Sequence, residues 1–159
     1  MLDNQQSLAL ARELLQPWAI SESTPAPERL DVEISAENLV PAVQALHQAG
    51  WGYLSAITGI DRSSDNPEDE GRIEVMYHFS WGGVVTTLRL FVPYTNAVIG
   101  SVCHEIPSAT LYEREMIEMY GIQFPGTPST EHLLLPDDWP AGVYPMRKSF
   151  TGLDTPTAG

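Results

Sequence analysis

Apolar residues recur with a helical period in two stretches near the N-terminus. Between residues 5 and 16, leucine and alanine return every three or four positions, which predicts a short amphipathic helix that ends before Pro17. A second helix is predicted from Asn38, as its N-cap, to Gly50, which closes it. Pro41 is compatible with this helix because it falls in the first turn, where a backbone N–H has no helical partner. Each helix therefore has one apolar face to bury.

Alternation of apolar and polar residues, and short apolar runs, predict four strands. They cover residues 29–35, 51–60, 72–81 and 84–92. The pair Gly82-Gly83 separates the last two strands, and glycine supplies the positive φ that a tight turn needs. The last two strands are therefore predicted to form a hairpin.

Three connecting segments complete this framework. Residues 21–27 are predicted to form a loop, and residues 96–106 a short helix. Residues 61–70 carry five acids and no apolar residue other than proline, which predicts a solvent-exposed loop. The elements together predict a single α+β domain, in which helices pack on a mixed or antiparallel sheet of about four strands.

A densely charged helix is predicted over residues 111–120, with Gly121 ending it in a left-handed conformation. Arg114 and Glu118 lie four residues apart on its polar side, where they can pair weakly in solvent. The apolar side of this helix is formed by Tyr112, Met116, Met119 and Tyr120.

Glu113 falls on the apolar side of the same helix, and two interpretations of it stay open. It can form a capping box with Thr110, in which each side chain caps the other's backbone N–H. Alternatively it is partly buried against a cation, because an unpaired buried carboxylate costs several kcal/mol. Arg147 and Lys148 are the cations within reach. We expect Arg147 to be held by an acid, with Glu113 or Glu115 favoured over an acid on a partner subunit.

Charge and composition narrow the classes of function. The 159 residues carry a formal net charge of −13, which argues against nucleic acid and anionic lipid as partners, since both need a basic surface. The single cysteine, Cys103, excludes an internal disulfide and suits a reducing compartment. No apolar run is long enough to span a bilayer, and the N-terminus lacks the pattern of a signal peptide. These features predict a soluble, acidic domain of intracellular type.

The sequence contains no recognisable catalytic or cofactor-binding constellation. Its four histidines are scattered, without HExxH or CxxC spacing, and no nucleotide-binding glycine pattern is present. The adjacent residues Cys103, His104 and Glu105 would point about 100° apart on a helix, so they do not converge on one ion. No iron, flavin or zinc site is therefore expected in this chain.

Two linked blocks, YEREMIEMYGIQFPGTP and LLLPDDWPAGVYPMRKSF, resemble the signature of the 30-kilodalton subunit of respiratory complex I, the NADH-quinone oxidoreductase. The first block matches through Glu113, Arg114, Glu115, Gly121, Ile122, Phe124, Gly126 and Pro128. The second matches through Pro136, Asp137, Asp138, Trp139, Gly142, Pro145, Arg147, Lys148 and Phe150. The chain departs from the pattern at Glu118, usually Asp, at Thr127, commonly His, and at residues 129–132, typically basic.

The resemblance implies a docking role for the C-terminal part of the chain. We expect an α+β domain over residues 1–124, ending in the charged helix, and an extended proline-rich docking tail of the same domain over residues 125–159. Such a tail loses little entropy on binding, so it suits wrapping over a partner. The residues expected to carry docking are Glu113, Arg114, Glu115, Gly121, Phe124, Gly126, Pro128, Asp137, Asp138, Trp139, Pro145, Arg147 and Lys148.

The resemblance also implies a structural role in a larger assembly. The chain would be a cofactor-free subunit in the peripheral arm of a complex I-type oxidoreductase that passes electrons from NAD(P)H or another donor to quinone and translocates protons. It would pack on the hydrogenase-like large subunit and on neighbouring iron–sulfur subunits, which hold the clusters, flavin and quinone. The complex would keep it on the cytoplasmic side, peripheral to the inner face of the cell membrane.

Two alternatives stay open at this point. The chain could be the equivalent subunit of a membrane-bound [NiFe] hydrogenase that is related to complex I. From a different class, it could be a stand-alone enzyme that uses Glu113, Glu115 and His132 as acid–base groups, although no nucleophile or metal motif accompanies them.

Overall fold

The computed structural model describes residues 2–153, which form one five-stranded sheet with three α-helices. The helices are α1 (Asn4–Leu15), α2 (Leu39–Gln48) and α3 (Ala109–Tyr120). The strands are β1 (Ser21–Ser23), β2 (Arg29–Glu33), β3 (Tyr53–Asp61), β4 (Arg72–Trp81) and β5 (Val84–Pro93). The predicted α+β class is confirmed.

The sheet is mixed, with the strand order β1-β2-β5-β4-β3. In this sheet β2 and β5 pair in parallel, and the other three pairs are antiparallel. The predicted hairpin is confirmed: Trp81 pairs with Val84 across a two-residue turn, with a φ of 56° at Gly82. This turn conformation is one that glycine adopts without strain.

The hydrophobic core lies on one face of the sheet, where side chains of all three helices meet those of the strands. Alternation along the strands determines which residues point inward, as their sequence pattern predicts. The strand residues that are almost completely buried include Leu30, Val32, Ile73, Val75, Tyr77, Leu88 and Leu90. The core fixes the positions of β3 and β5. Asp61 at the end of β3 and Tyr94 directly after β5 contact the C-terminal segment.

Two segments differ from their predicted structure. Residues 21–27 are predicted as a loop, but they contain β1. This strand forms because its backbone pairs antiparallel with β2. Residues 96–106 form no α-helix. Instead, Val98 bridges to Gln123 and the Ser101 N–H donates to the Pro125 carbonyl, so a distant segment takes the backbone hydrogen bonds that a helix would have used internally.

The acidic loop is exposed over residues 64–70, as predicted. Its first acid, Asp61, differs from the prediction because it is the last residue of β3 and only 7% exposed. Asp69 stays at the surface and accepts hydrogen bonds from Ser64 and Gly71, which lower its pKa to about 2.

Candidate functional site: helix α3 and the segment packed on it

Helix α3 packs along the outer edge of β3 and satisfies backbone groups that this edge strand would leave unpaired. The hydroxyl of Tyr112 donates to the Ser55 carbonyl at 2.9 Å, and that of Tyr120 donates to the Gly59 carbonyl at 2.6 Å. A Cβ on Gly59 would lie 2.6 Å from the Tyr120 ring, so the close packing requires glycine. The helix therefore covers the sheet edge.

Glu113 is completely buried and accepts hydrogen bonds from three neutral groups of one loop. The Val102 N–H and the Ser101 hydroxyl each donate at 2.9 Å, and the Cys103 thiol donates at 3.2 Å. The capping box with Thr110 is wrong, because the helix begins at Ala109 and no side chain caps its N-terminus. The ion pair with Arg147 is also wrong, since these three donors occupy the carboxylate.

The buried Glu113 carboxylate affects the pKa values of two neighbouring side chains. Burial raises the pKa of the Cys103 thiol, and Glu113, to which the thiol donates, adds to the rise. Burial also raises the pKa of the Tyr77 hydroxyl well above its usual value, and the nearby charge of Glu113 raises it further. Among residues 2–153 the Tyr77 hydroxyl has no hydrogen-bond partner.

Arg114 and Glu118 bind the backbone of residues 131–135. Arg114 donates to the carbonyls of Glu131 and His132 at 2.8 and 2.7 Å. Glu118 is 6% exposed and accepts from the N–H groups of residues 133–135, at distances of 2.7 to 3.3 Å. His132 Nδ1 lies 3.4 Å from the Glu118 carboxylate. The predicted solvent pair of Arg114 with Glu118 is wrong, because the segment they hold covers this side of the helix.

The helix ends at Gly121, as predicted, in a left-handed conformation with a φ of 74°. Its N–H donates to the Ile117 carbonyl, which is typical of a glycine that terminates a helix. The ring of Tyr144 packs directly on this residue, so that a Cβ on Gly121 would lie 2.5 Å from a ring atom. Glycine is required here for both its backbone conformation and its lack of a side chain.

Replacing Gly121 by alanine should lower the free energy of unfolding by about 2–4 kcal/mol, because backbone strain adds to a clash with Tyr144. Gly142→Ala is the matched control, since Gly142 has a similar φ of 77° and nothing within 4 Å of the added Cβ. It should cost only about 1 kcal/mol. Chemical denaturation of both variants measures the difference, and equal losses would show that the Tyr144 contact contributes nothing.

Arg147 is held at the C-terminal end of α3 without a carboxylate. Its Nε donates to the Tyr120 carbonyl at 2.7 Å, and its guanidinium lies 4.2 Å from the ring centre of Tyr94 and 4.7 Å from that of Tyr144. No salt bridge within residues 2–153 involves Arg147, so the predicted pairing with Glu113 or Glu115 is wrong. The last carbonyls of a helix carry partial negative charge, and here one of them takes the place of the acid.

Asp61 fastens the adjacent residue, Lys148. The carboxylate accepts from the Lys148 and Ser63 N–H groups at 2.7 and 2.9 Å and also from the hydroxyls of Tyr94 and Ser63, while Lys148 Nζ donates to the Ser63 carbonyl at 2.6 Å. Burial alone would raise the pKa of Asp61, but the hydrogen bonds outweigh it and hold the pKa below its usual value. The C-terminal segment is therefore tied to the ends of β3 and β5 as well as to α3.

Acidification should release this contact. Because the folded-state pKa of Asp61 lies below the unfolded value of about 4, the carboxylate stabilises the fold above that pH, and its contribution is lost as the pH falls through the folded pKa. The amide resonance of Lys148, followed by NMR during acid titration, should report the release. Asp61→Asn should abolish this transition, whereas Asp65→Asn in the exposed loop should keep it; an unchanged transition in Asp61→Asn would contradict the assignment.

The remaining motif residues divide into buried and exposed groups. Phe124 is buried, Gly126 has a φ of 89°, and Pro128 is exposed. Trp139 is half-buried; its indole N–H donates to the Val143 carbonyl at 2.8 Å, and its ring lies 6.2 Å from that of Phe150.

Three motif carboxylates have no hydrogen-bond or salt-bridge partner among residues 2–153. Glu115 is half-buried, whereas Asp137 and Asp138 are exposed. Every other charged side chain of the two blocks is engaged within the chain.

The residues of the acid–base hypothesis share no contact among residues 2–153. Glu113 contacts the loop at residues 101–103, whereas His132 lies beside Glu118, so the residues of the acid–base hypothesis contact different groups. No group of three His, Cys, Asp or Glu side chains in residues 2–153 is placed to hold a metal ion. Within the same range, none of the helices has the length and apolar character that crossing a membrane requires.

The sequence profile of the family described as the 30 Kd subunit of respiratory-chain NADH dehydrogenase matches residues 32–156. The chain belongs to this family. A subunit of the NADH-quinone oxidoreductase from Dinoroseobacter shibae is 31% identical over 155 residues, covering 97% of this chain and 68% of that protein.

Two further proteins similar to this chain carry the names of other enzymes. Formate hydrogenlyase subunit 5 from Escherichia coli K12 is 31% identical over 147 residues, which cover 91% of this chain. Hydrogenase-4 component G from the same organism is 30% identical over 132 residues. The chain spans about a quarter of the length of these two relatives, 25% and 23%.

Two solved structures share the fold of this 30 Kd family member. A chain of the membrane-bound sulfane sulfur reductase, an archaeal respiratory membrane complex, superposes with a TM-score of 0.68 over 90% of this chain and 84% of its own, at 23% identity. A trypsin-resistant fragment (1–134) of Nqo5 superposes with a TM-score of 0.61 over 79% of this chain and 97% of its own, also at 23% identity.

Sequence reasoning misses the partners that hold the family motif in place. By composition, Asp61 is predicted to lie in the solvent-exposed acidic loop. Nothing in the sequence indicates that Tyr94, Tyr144 and Ser101 contact the family motif. Asp61 differs from the other acids of that loop by directly following the predicted strand 51–60, and in the structure it is the last residue of β3.

Proposed function

We propose that this chain is a non-catalytic subunit in the peripheral arm of a complex I-type, proton-translocating oxidoreductase that passes electrons from NAD(P)H or another donor to quinone. One observation supports this proposal: charged residues of the family motif bind backbone and loop groups of the same chain. Glu113, Arg114, Glu118 and Arg147 all hold backbone or loop groups and leave no convergent set of reactive side chains. The chain supports electron transfer by holding neighbouring subunits together, and the flavin, clusters and quinone belong to those neighbours.

The docking element is the segment from residue 125 onward, of which residues 125–153 are described and residues 154–159 lie outside the described part. This tail is fastened at Glu118, Gly121, Arg147 and Asp61, so little conformational entropy remains to be lost on binding. It exposes large apolar side chains, with Leu134 62% and Met146 54% accessible. An ordered segment with exposed apolar side chains is typical of a protein–protein contact.

The partner proposed for this surface is a hydrogenase-like large subunit. Support comes from formate hydrogenlyase subunit 5 and hydrogenase-4 component G, in which the region similar to this chain is about one quarter of a longer polypeptide. Joining two proteins in one chain keeps them at high effective concentration, which favours partners that work in contact. The partner of this chain would then resemble the remaining three quarters of those proteins.

A second candidate is the equivalent subunit of a membrane-bound hydrogenase related to complex I. The names of three relatives favour it: the two Escherichia coli proteins above and membrane-bound hydrogenase subunit beta of Pyrococcus furiosus, which is 37% identical over 71 residues. In either assembly the chain would lie on the cytoplasmic side of the membrane, attached through its partners.

Affinity purification from the native host, with the tagged chain at its natural abundance, tests the proposal. A large subunit and iron–sulfur subunits should co-purify, with iron and flavin in the assembly and none in the separated chain. NADH oxidation or hydrogen evolution by the assembly would distinguish the two candidates. Recovery of the chain alone, with an activity of its own, would overturn both.

A further inference from the structure

A surface groove lies beside Trp139 in the tail. Its volume is about 570 Å³, which is within the range of ligand sites in proteins. Its lining residues are Pro136, Asp138, Trp139, Pro140, Val143, Gly152 and Leu153. The groove is therefore largely apolar, with one carboxylate.

Within residues 2–153 the carboxylate of this groove, Asp138, has no polar partner. Asp138 and its neighbour Asp137 are exposed, and neither forms a salt bridge or a side-chain hydrogen bond with any group in residues 2–153. All eight cationic side chains of the sequence fall within this range, so no lysine or arginine of the described chain neutralises them. The charges of Asp137 and Asp138 are available to another molecule.

The indole is fixed in place beside this carboxylate. The hydrogen bond from Trp139 Nε1 to the Val143 carbonyl and the packing against Phe150 restrict its rotation, and the ring stays half-exposed. The face of a tryptophan attracts cations, and the attraction grows when the site is partly desolvated by apolar neighbours. The chain already uses this chemistry at Arg147, whose guanidinium lies between Tyr94 and Tyr144.

We propose that the groove beside Trp139 binds a basic side chain of the partner subunit, with arginine preferred over lysine. The guanidinium would stack on Trp139 and pair with Asp138, since a planar bidentate donor fits a carboxylate and an aromatic face together. This inference rests on the proposed function, because it supplies the contact by which the large subunit recognises the tail.

The test uses the full-length chain and the assembly purified from a strain that lacks it. Asp138→Asn should weaken binding to that assembly about tenfold, since one interfacial ion pair is lost, and should reduce the dependence of binding on ionic strength. Asp65→Asn is the matched control, because Asp65 is an exposed acid of the 61–70 loop with the same change in charge. It should bind like the unmodified chain.

A photo-crosslinking residue in place of Val143 identifies the occupant. The cross-linked partner peptide should contain an arginine or lysine, and reversing that charge should restore binding to Asp138→Arg. A peptide without a basic residue, or equal binding of Asp138→Asn and the unmodified chain, would overturn the proposal for the groove. So would a fall in the stability of free Asp138→Asn that matches its loss of affinity. Failure of the unmodified chain to bind would instead count against the proposed function.

Discussion

Replacing Glu113 by alanine should lower the free energy of unfolding by about 3 kcal/mol or more. The substitution removes three hydrogen bonds to a fully buried carboxylate and leaves the Val102 N–H without a partner in the core. It also frees the loop at residues 101–103 from α3. Glu113→Gln should lower the free energy of unfolding less than Glu113→Ala, because the amide oxygen still accepts a hydrogen bond. It should not match Glu113, because the NH₂ group cannot accept from the remaining donors.

Glu115→Ala provides the control on the same helix. Glu115 is half-buried and has no hydrogen-bond partner among residues 2–153, so its loss should change stability by less than about 0.5 kcal/mol. Urea denaturation of the purified chain compares the three variants. A loss of under about 1 kcal/mol for Glu113→Ala would mean that water replaces the missing carboxylate and that the buried contact does not stabilise the fold.

Arg147→Ala should reduce incorporation into the assembly about tenfold or more while the melting temperature of the free chain changes little. The guanidinium stabilises the tail through two aromatic rings and one helix carbonyl, and it is not itself part of the hydrophobic core. Loss of these contacts favours local release of the tail, and the apparent affinity falls with the fraction of molecules whose tail is in place. Arg147→Lys should rescue only in part, because an ammonium group lacks the planar surface that stacks on tyrosine.

The matched control is Arg72→Ala, which also removes a guanidinium over an aromatic ring, here Phe91 at 5.0 Å on β5. That contact lies on the sheet and involves no residue of the tail, so incorporation should be unchanged. Quantifying each tagged variant in the purified assembly, at equal expression, measures the effect. Full incorporation of Arg147→Ala would overturn the docking role of the tail, whatever the variant does to stability.

Local patterns allow much of the fold to be predicted. The hairpin of β4 and β5, the helices α1 and α2, and the helix-ending Gly121 follow from periodicity and from glycine conformation, which depend on neighbouring residues alone. β1 is not predictable in this way, because three polar, exposed residues become a strand only through pairing with β2.

The contacts of the site depend on residues far apart in sequence, and this is why the sequence predicts their partners wrongly. Glu113 is correctly expected on the apolar side of its helix, but its donors lie in a loop that is positioned by the bridge between Val98 and Gln123. Arg147 binds a main-chain carbonyl, a group that every residue carries and that leaves no trace in the sequence. Glu118 is expected in solvent because a helical projection does not show the segment that covers it in the fold.

The bond between Asp61 and Lys148 spans 87 positions, and this separation has a consequence for the timing of assembly. During synthesis the residues that receive the tail, at the ends of β3 and β5, emerge from the ribosome well before residues 144–148. Contacts between distant residues form late, after the sheet that aligns them. We therefore expect the proposed docking surface to be completed after the sheet has formed, so that an unfinished chain lacks part of it. The order of synthesis thereby makes folding a precondition of incorporation.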